Sequence, residues 1–235
     1  MEQPPQKLSV RIDDGLSVSA LLLVPAQPSA CLVLAHGAGA GMLHPFMAAV
    51  AAGLHTRGVA SLRYQFPYME QGSKRPDPPA LCHATVRAAV AEAARHATGG
   101  VKIIAGGKSF GGRMTSQAQA AAPLEGVCGL AFLGFPLHPA RKPSIAGGPG
   151  EKPSTARADH LSNVEIPMLF LQGTRDELAD LSLLEPITTR LGSRATLKKI
   201  EGADHSFHVL ARSGRKDAEV LKELAQTLAA WTTTF

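Results

Sequence analysis

Long apolar runs are missing from this 235-residue chain. No window approaches the roughly 18 apolar residues that a membrane-crossing helix requires, which excludes a helical membrane protein. Basic runs are missing too. The net charge of +5 and the 18% of charged residues are spread along the sequence, without clustered Lys and Arg, so nucleic acid is not an expected partner. Cysteine is scarce: Cys31, Cys82 and Cys128 are an odd number. Cys31 and Cys128 stand inside apolar stretches, so reduced core thiols are expected and a disulfide framework is not. No histidine has a partner at His-x-x-x-His or Cys-x-x-Cys spacing, and neither a metal site nor an organic cofactor is expected. The first residues carry no basic flank followed by an apolar stretch, which predicts a cytoplasmic location.

What is present suits one large core. Hydrophobic residues make up 45% of the chain, and no shift in composition divides it, so residues 1–235 are expected to form a single domain. Two apolar segments, Lys7 to Ile12 and Leu16 to Val24, flank Asp13-Asp14-Gly15, a hairpin signal. Short apolar strands then alternate with Ala-rich helical patterns. The strands are predicted at Cys31 to Ala35, Val59 to Leu62, Val101 to Ala105, Val127 to Leu133, Pro167 to Leu171 and Ala195 to Ile200. Apolar residues at three- and four-residue spacing predict helices over Pro45 to Thr56, Pro79 to His96, Gly111 to Ala121, Ala179 to Leu191 and Arg215 to Thr232. This pattern implies an α/β fold: a mostly parallel eight-stranded sheet, an N-terminal antiparallel hairpin, helices on both faces and no cap domain. Residues 136–163 hold so many Pro and Gly that a loop bordering the site is expected there, with room for a short helix at Ala156 to Leu161.

Chemistry concentrates at Gly107-Lys108-Ser109-Phe110-Gly111, directly after one strand and before one helix. In that context Gly-x-Ser-x-Gly reads as a nucleophile elbow: a sharp turn exposes the serine, and small residues on either side avoid clashes. The string without its context is weak, and a Gly-rich turn with Ser109 as a helix cap is the plainer alternative. The loop His36-Gly37-Ala38-Gly39-Ala40-Gly41 follows the strand Cys31 to Ala35. Its missing side chains let main-chain N–H groups approach a developing oxyanion, and the amides of Ala38 and Phe110 are the predicted donors. The glycine spacing does not fit a dinucleotide fingerprint, and Lys102 stands where a phosphate-binding loop before Gly107 needs glycine.

An activated serine needs a base, and the base needs a group that fixes its tautomer. Among nine histidines, His205 alone lies in a loop, Gly202 to Phe207, between the last strand and the last helix. His208 is its competitor. The orienting acid is predicted to be Asp176, in Gly173-Thr174-Arg175-Asp176, with Glu177, Asp180 and Asp204 as alternatives. Tyr64, Phe66, Tyr68 and His138 follow strands at the carboxyl edge and are candidates for a substrate pocket, with packing of the loop against the core as the equal alternative. Arg113 is read as an ion-pair residue, with contact to an anionic substrate as the other reading.

The hairpin, the His-Gly loop, the elbow, Gly173 to Asp176 and the late Gly-x-x-His resemble the α/β-hydrolase superfamily over essentially the whole chain. Small size and the lack of an inserted cap resemble its dienelactone-hydrolase-like branch. Gly111-Gly112-Arg113-Met114, Arg63 to Glu70 and Phe135 to Pro139 are similar to a bacterial group akin to the testis-expressed and NSL-complex hydrolase-like proteins of animals. Dienelactone hydrolases proper use Cys where Ser109 stands. The resemblance implies a serine hydrolase of carboxylesterase or thioesterase type acting on a small acyl substrate through an acyl-enzyme. The animal relatives that serve in complexes make a binding or scaffold protein on the same fold the alternative. A homo-oligomer is left open.

Overall fold

The computed structural model describes residues 4–138 and 154–235. The first strands, β1 (Gln6–Arg11) and β2 (Ser17–Leu23), pair antiparallel, with Val10 opposite Val18. At the turn the carboxylate of Asp13 accepts the N–H of Gly15 at 2.9 Å. Side chains alternate along β2, and Val18, Ala20 and Leu22 enter the core.

Beyond the hairpin every strand runs parallel. These are β3 (Ala30–Ala35), β4 (Val59–Tyr64), β5 (Lys102–Lys108), β6 (Val127–Leu133), β7 (Met168–Gly173) and β8 (Ala195–Ile200), and the spatial order is β1-β2-β4-β3-β5-β6-β7-β8. β3 is buried along its whole length because helices cover both faces. Cys31, Val33 and Ala35 face one apolar layer with α3 (Pro79–His96), α4 (Phe110–Ala121) and α5 (Leu181–Leu191). Ala30, Leu32 and Leu34 face the other, with α1 (Pro45–His55) and α6 (Asp217–Trp231). α1 and α6 lie so close that a Cβ at Gly53 would come within 2.8 Å of the Ala225 Cβ.

The chain reverses its direction of travel across the sheet at β3, whose neighbours are β4 and β5. The loops after β3 and β5 therefore diverge and open a crevice at the carboxyl edge, where ligands of such sheets bind. The region after β4 departs from the sequence expectation: β4 runs two residues further, to Tyr64, and a one-turn helix, α2 (Pro67–Glu70), follows it. The short helix allowed for at Ala156 to Leu161 is present, as a 3-10 helix over Ala156–Asn163. Most of the expected loop over 136–163, residues 139–153, lies outside the described residues. Among the described residues no helix is long and apolar enough to cross a membrane.

Candidate active site

Ser109 occupies the turn between β5 and α4 with φ 49° and ψ −114°, a backbone region that L residues avoid and that costs of order 1–3 kcal/mol. The turn is tight because its glycines have no room for a side chain. A Cβ at Gly107 would come within 2.6 Å of the Ala35 carbonyl oxygen, and one at Gly111 within 2.5 Å of that of His36. Ser109 is fixed by its own N–H, donated to the Leu133 carbonyl at 3.1 Å, and by its carbonyl, which accepts the Arg113 N–H at 3.1 Å.

His205 reaches the serine from the loop between β8 and α6. That loop is folded on itself: the Asp204 carboxylate accepts the N–H groups of Ser206 at 2.8 Å and His208 at 2.9 Å, and an isolated bridge joins Ala203 to Val209. Phe207, at φ 64°, stacks on Phe46 with ring centroids 5.7 Å apart. His205 Nε2 lies 2.8 Å from Ser109 Oγ, and His205 Nδ1 lies 2.7 Å from Asp176 Oδ2. With Asp176 as acceptor, Nδ1 carries the proton and Nε2 is left to accept from the serine hydroxyl.

Asp176 is buried, and both its oxygens are used. Oδ1 accepts the Leu178 N–H at 2.8 Å, and Oδ2 accepts the Gln172 side-chain amide at 2.5 Å in addition to His205. The competing groups are engaged elsewhere. Asp180 caps α5 by accepting the Ser182 N–H at 2.9 Å, Glu177 is exposed, and His208 pairs at the surface with Asp217 at 2.8 Å. A second serine–histidine contact, Ser116 to His160 Nε2 at 2.8 Å, is different in kind. Ser116 is fully buried and commits its own proton to the Arg113 carbonyl.

The His-Gly loop is held from behind. His36 is fully buried; its Nδ1 donates to the Gly37 carbonyl at 2.8 Å, and its Nε2 accepts the Phe66 N–H at 3.0 Å. Burial lowers its proton affinity, so the ring stays neutral. The Gln65 side chain accepts the Met42 N–H at 2.7 Å and closes the far end of the loop. Ala38 is exposed at the loop's crest, and neither its N–H nor that of Phe110 is hydrogen-bonded among the described residues.

A cavity of about 340 Å³ opens above Ser109. Ala38, Lys108 and His205 line it with Ser109, and Phe46, Met47 and Leu178 give it an apolar wall. The aromatic residues expected to line a pocket are placed otherwise. Tyr64, Phe66 and Tyr68 are 0%, 0% and 2% exposed, because the longer β4 and the turn of α2 keep them over the sheet. There Phe66 and Tyr68 pack edge-on against His36 and Phe110, Tyr64 packs on Phe66, and the group supports the His-Gly loop from the core side. His138 lines a separate cavity of about 500 Å³ on the far side of Asp176, with Thr174 and Arg175. The ion pair expected of Arg113 is absent among the described residues; its guanidinium lies 5.8 Å from the Phe110 ring centroid, and its Nε is buried without a hydrogen bond.

Two residues that the sequence did not single out belong to the site. Gln172 is the one polar side chain in β7, and a lone amide in a strand buried on both faces was the available signal. Lys108 is hidden inside the elbow motif. Its ammonium donates to the His205 main-chain carbonyl at 2.6 Å, and burial pushes its pKa down to about 8. Among the described residues no three His, Cys, Asp or Glu side chains gather as a metal site would need.

Solved structures share this architecture across almost their full length. A dienelactone hydrolase from Anabaena variabilis is 21% identical with a TM-score of 0.71, covering 99% of each chain. An alpha-beta serine hydrolase homologue from Coxiella burnetii is 17% identical with a TM-score of 0.73, covering 96% of this chain and 98% of its own. A serine hydrolase without a lid from Xanthomonas campestris is 19% identical with a TM-score of 0.68, covering 98% of this chain and 96% of its own. A family model described as an alpha/beta hydrolase domain matches residues 28–233, from just before β3 to just past α6, and the chain belongs to that family.

Proposed function

We propose that the protein is a serine hydrolase that cleaves ester or thioester bonds of small acyl substrates. Ser109 is the nucleophile, His205 the general base and Asp176 the group that orients the histidine. The observation that carries this reading is the unbroken relay from Asp176 through His205 to Ser109, with links of 2.7 and 2.8 Å, ending at the floor of a cavity. As Ser109 Oγ attacks an acyl carbon, its proton passes to His205 Nε2 and the imidazolium is stabilised by Asp176. The amides of Ala38 and Phe110 take the oxyanion. His205 then protonates the leaving group, and a water deprotonated by the same nitrogen releases the acid from the acyl-enzyme. In each half of the cycle His205 acts once as base and once as acid, and the second half ends with the proton returned to Ser109 Oγ.

The test is covalent labelling with a fluorophosphonate probe, followed by assay on esters and thioesters of increasing chain length. Labelling at Ser109, lost in Ser109→Ala, supports the reading. A wild-type protein that neither labels nor turns over any substrate in the panel would overturn it in favour of a binding role on the same fold.

A further inference from the structure

We infer that Lys108 is a positioning residue: its ammonium, bonded to the main-chain carbonyl of His205, holds the histidine loop against β5 and so fixes where the imidazole stands beside Ser109. The inference rests on the proposed roles of Ser109, His205 and Asp176.

Lys108 is the last residue of β5 and precedes Ser109 directly, so anything it grips is held in register with the nucleophile. It grips one atom. Nζ donates to the His205 oxygen at 2.6 Å across 97 residues of chain and makes no ion pair with a carboxylate among the described residues. It also lies 5.4 Å from the centroid of the Phe207 ring, a favourable place for a cation. The ring cannot drift, because Phe207 is locked at φ 64° and stacked on Phe46. The ammonium therefore ties down residues 205 and 207 together.

Gly134 shows how closely the charged groups converge. It sits just after β6 at φ +72°, and a Cβ there would lie 3.1 Å from Lys108 Nζ and 3.4 Å from both Asp176 Oδ2 and His205 Nδ1. Three polar groups, one from the end of β5 and two from loops, meet around one bare α-carbon. The acids that face the ammonium are Asp176, after β7, and Asp204, after β8. Asp176 spends its oxygens on Gln172, Leu178 and His205, and Asp204 on Ser206 and His208. The ammonium is therefore left to grip the His205 carbonyl. Desolvation brings the Lys108 pKa to about 8, so this grip weakens as pH rises through that value.

The experiment compares wild type with Lys108→Met and Lys108→Arg by their kinetics on a short ester and by the amide NMR signals of residues 205–207 in the substrate-free protein. In wild type those signals should shift as pH passes through about 8, which requires no variant. In Lys108→Met that shift should be absent, and kcat should fall at least roughly tenfold with KM little changed. Lys108→Arg, which keeps a cationic donor for the carbonyl, should recover most of kcat. Loop signals that match wild type in Lys108→Met overturn the inference, even where activity falls, and so does a wild-type loop blind to pH 8. Failure of the hydrolase reading looks different: the wild type stays unlabelled by fluorophosphonate while the 205–207 signals still respond to Lys108.

Discussion

The side chain of Gln172 stands between two loops: its amide N–H donates to Asp176 Oδ2 at 2.5 Å, and its carbonyl accepts the Phe135 N–H at 2.9 Å. The carboxylate that faces His205 is thereby fixed from a strand interior. Replacing Gln172 with Leu removes one donor from a buried carboxylate and leaves a buried N–H unpaired. We expect kcat/KM on a short ester to fall about tenfold, with a loss of stability of roughly 1–3 kcal/mol. Asp176→Asn, which also destroys the tautomer preference, should cost on the order of a thousandfold more than Gln172→Leu. Equal kinetics for Gln172→Leu and wild type would show that Asp176 needs no such support.

Ser109 carries backbone strain that function retains and stability does not need. Glycine tolerates φ 49° without penalty, so Ser109→Gly should raise Tm by several degrees at full loss of fluorophosphonate labelling. Ser109→Ala should lose labelling equally with Tm close to that of wild type. A lower Tm for Ser109→Gly would argue that the serine side chain stabilises the turn.

The two late histidines should separate cleanly. His205→Ala is expected to be as damaging as Ser109→Ala, because groups that act as one unit are lost together. His208→Ala should leave kcat/KM within a few-fold of wild type. Its effect belongs to stability: Asp217 raises the His208 pKa, so the contribution is fully present below the unfolded-state pKa and is lost as pH rises through the folded one. The urea midpoints of wild type and His208→Ala should differ at pH 5.5 and converge at pH 9.

Burial acts in the opposite direction on His160, whose pKa is pushed down to about 4, first by desolvation and then by Arg113. The unfolded chain binds this proton below about pH 6.5 and the folded one does not, so stability is lost as pH falls from 6.5 toward 4. His160→Gln should flatten that part of the acid profile, measured by urea midpoints across the range. An unchanged slope would assign acid lability to other groups, of which buried His36 is the first to examine.

Among the described residues the half-buried guanidinium of Arg113 has no ionic partner. Met in its place fills similar volume without desolvating a charge, so Arg113→Met should leave Tm unchanged or raise it by a few degrees. A fall of several degrees would show that contact with Phe110 outweighs that cost.

The absence of a long amphipathic stretch between β6 and β7 predicts an open pocket, and the 340 Å³ cavity agrees in scale with a small acyl group. Esters of about two to four carbons should be turned over faster than those of ten or more. Activity that climbs steadily with chain length would refute the small-pocket reading and leave the relay untouched.

Apolar runs made the sheet legible, since strands buried on both faces need continuous hydrophobic sequence, as Met168 to Leu171 shows. The meeting of Ser109, Asp176 and His205 was readable because each sits in a loop right after a strand, where local pattern and chain order suffice. Tyr64 to Tyr68 misled for a definite reason. A two-residue difference in where β4 ends changes whether an aromatic points into a loop or over the sheet, and strand ends are the least certain part of any pattern. Gln172 and Lys108 were invisible for another: their roles depend on partners 4 and 97 residues away in directions that spacing does not encode.

The hydrogen bond from Ser109 to His205 closes a loop of 96 residues, and the chain between supplies three of the sheet's strands. A contact of that span forms late, because β6, β7 and β8 must first assemble in order. During refolding, covalent capture of Ser109 should therefore lag behind the recovery of helical signal. Ser109 then becomes a clock for the last stage of folding, one that marks time only after the carboxyl-terminal half of the sheet has closed.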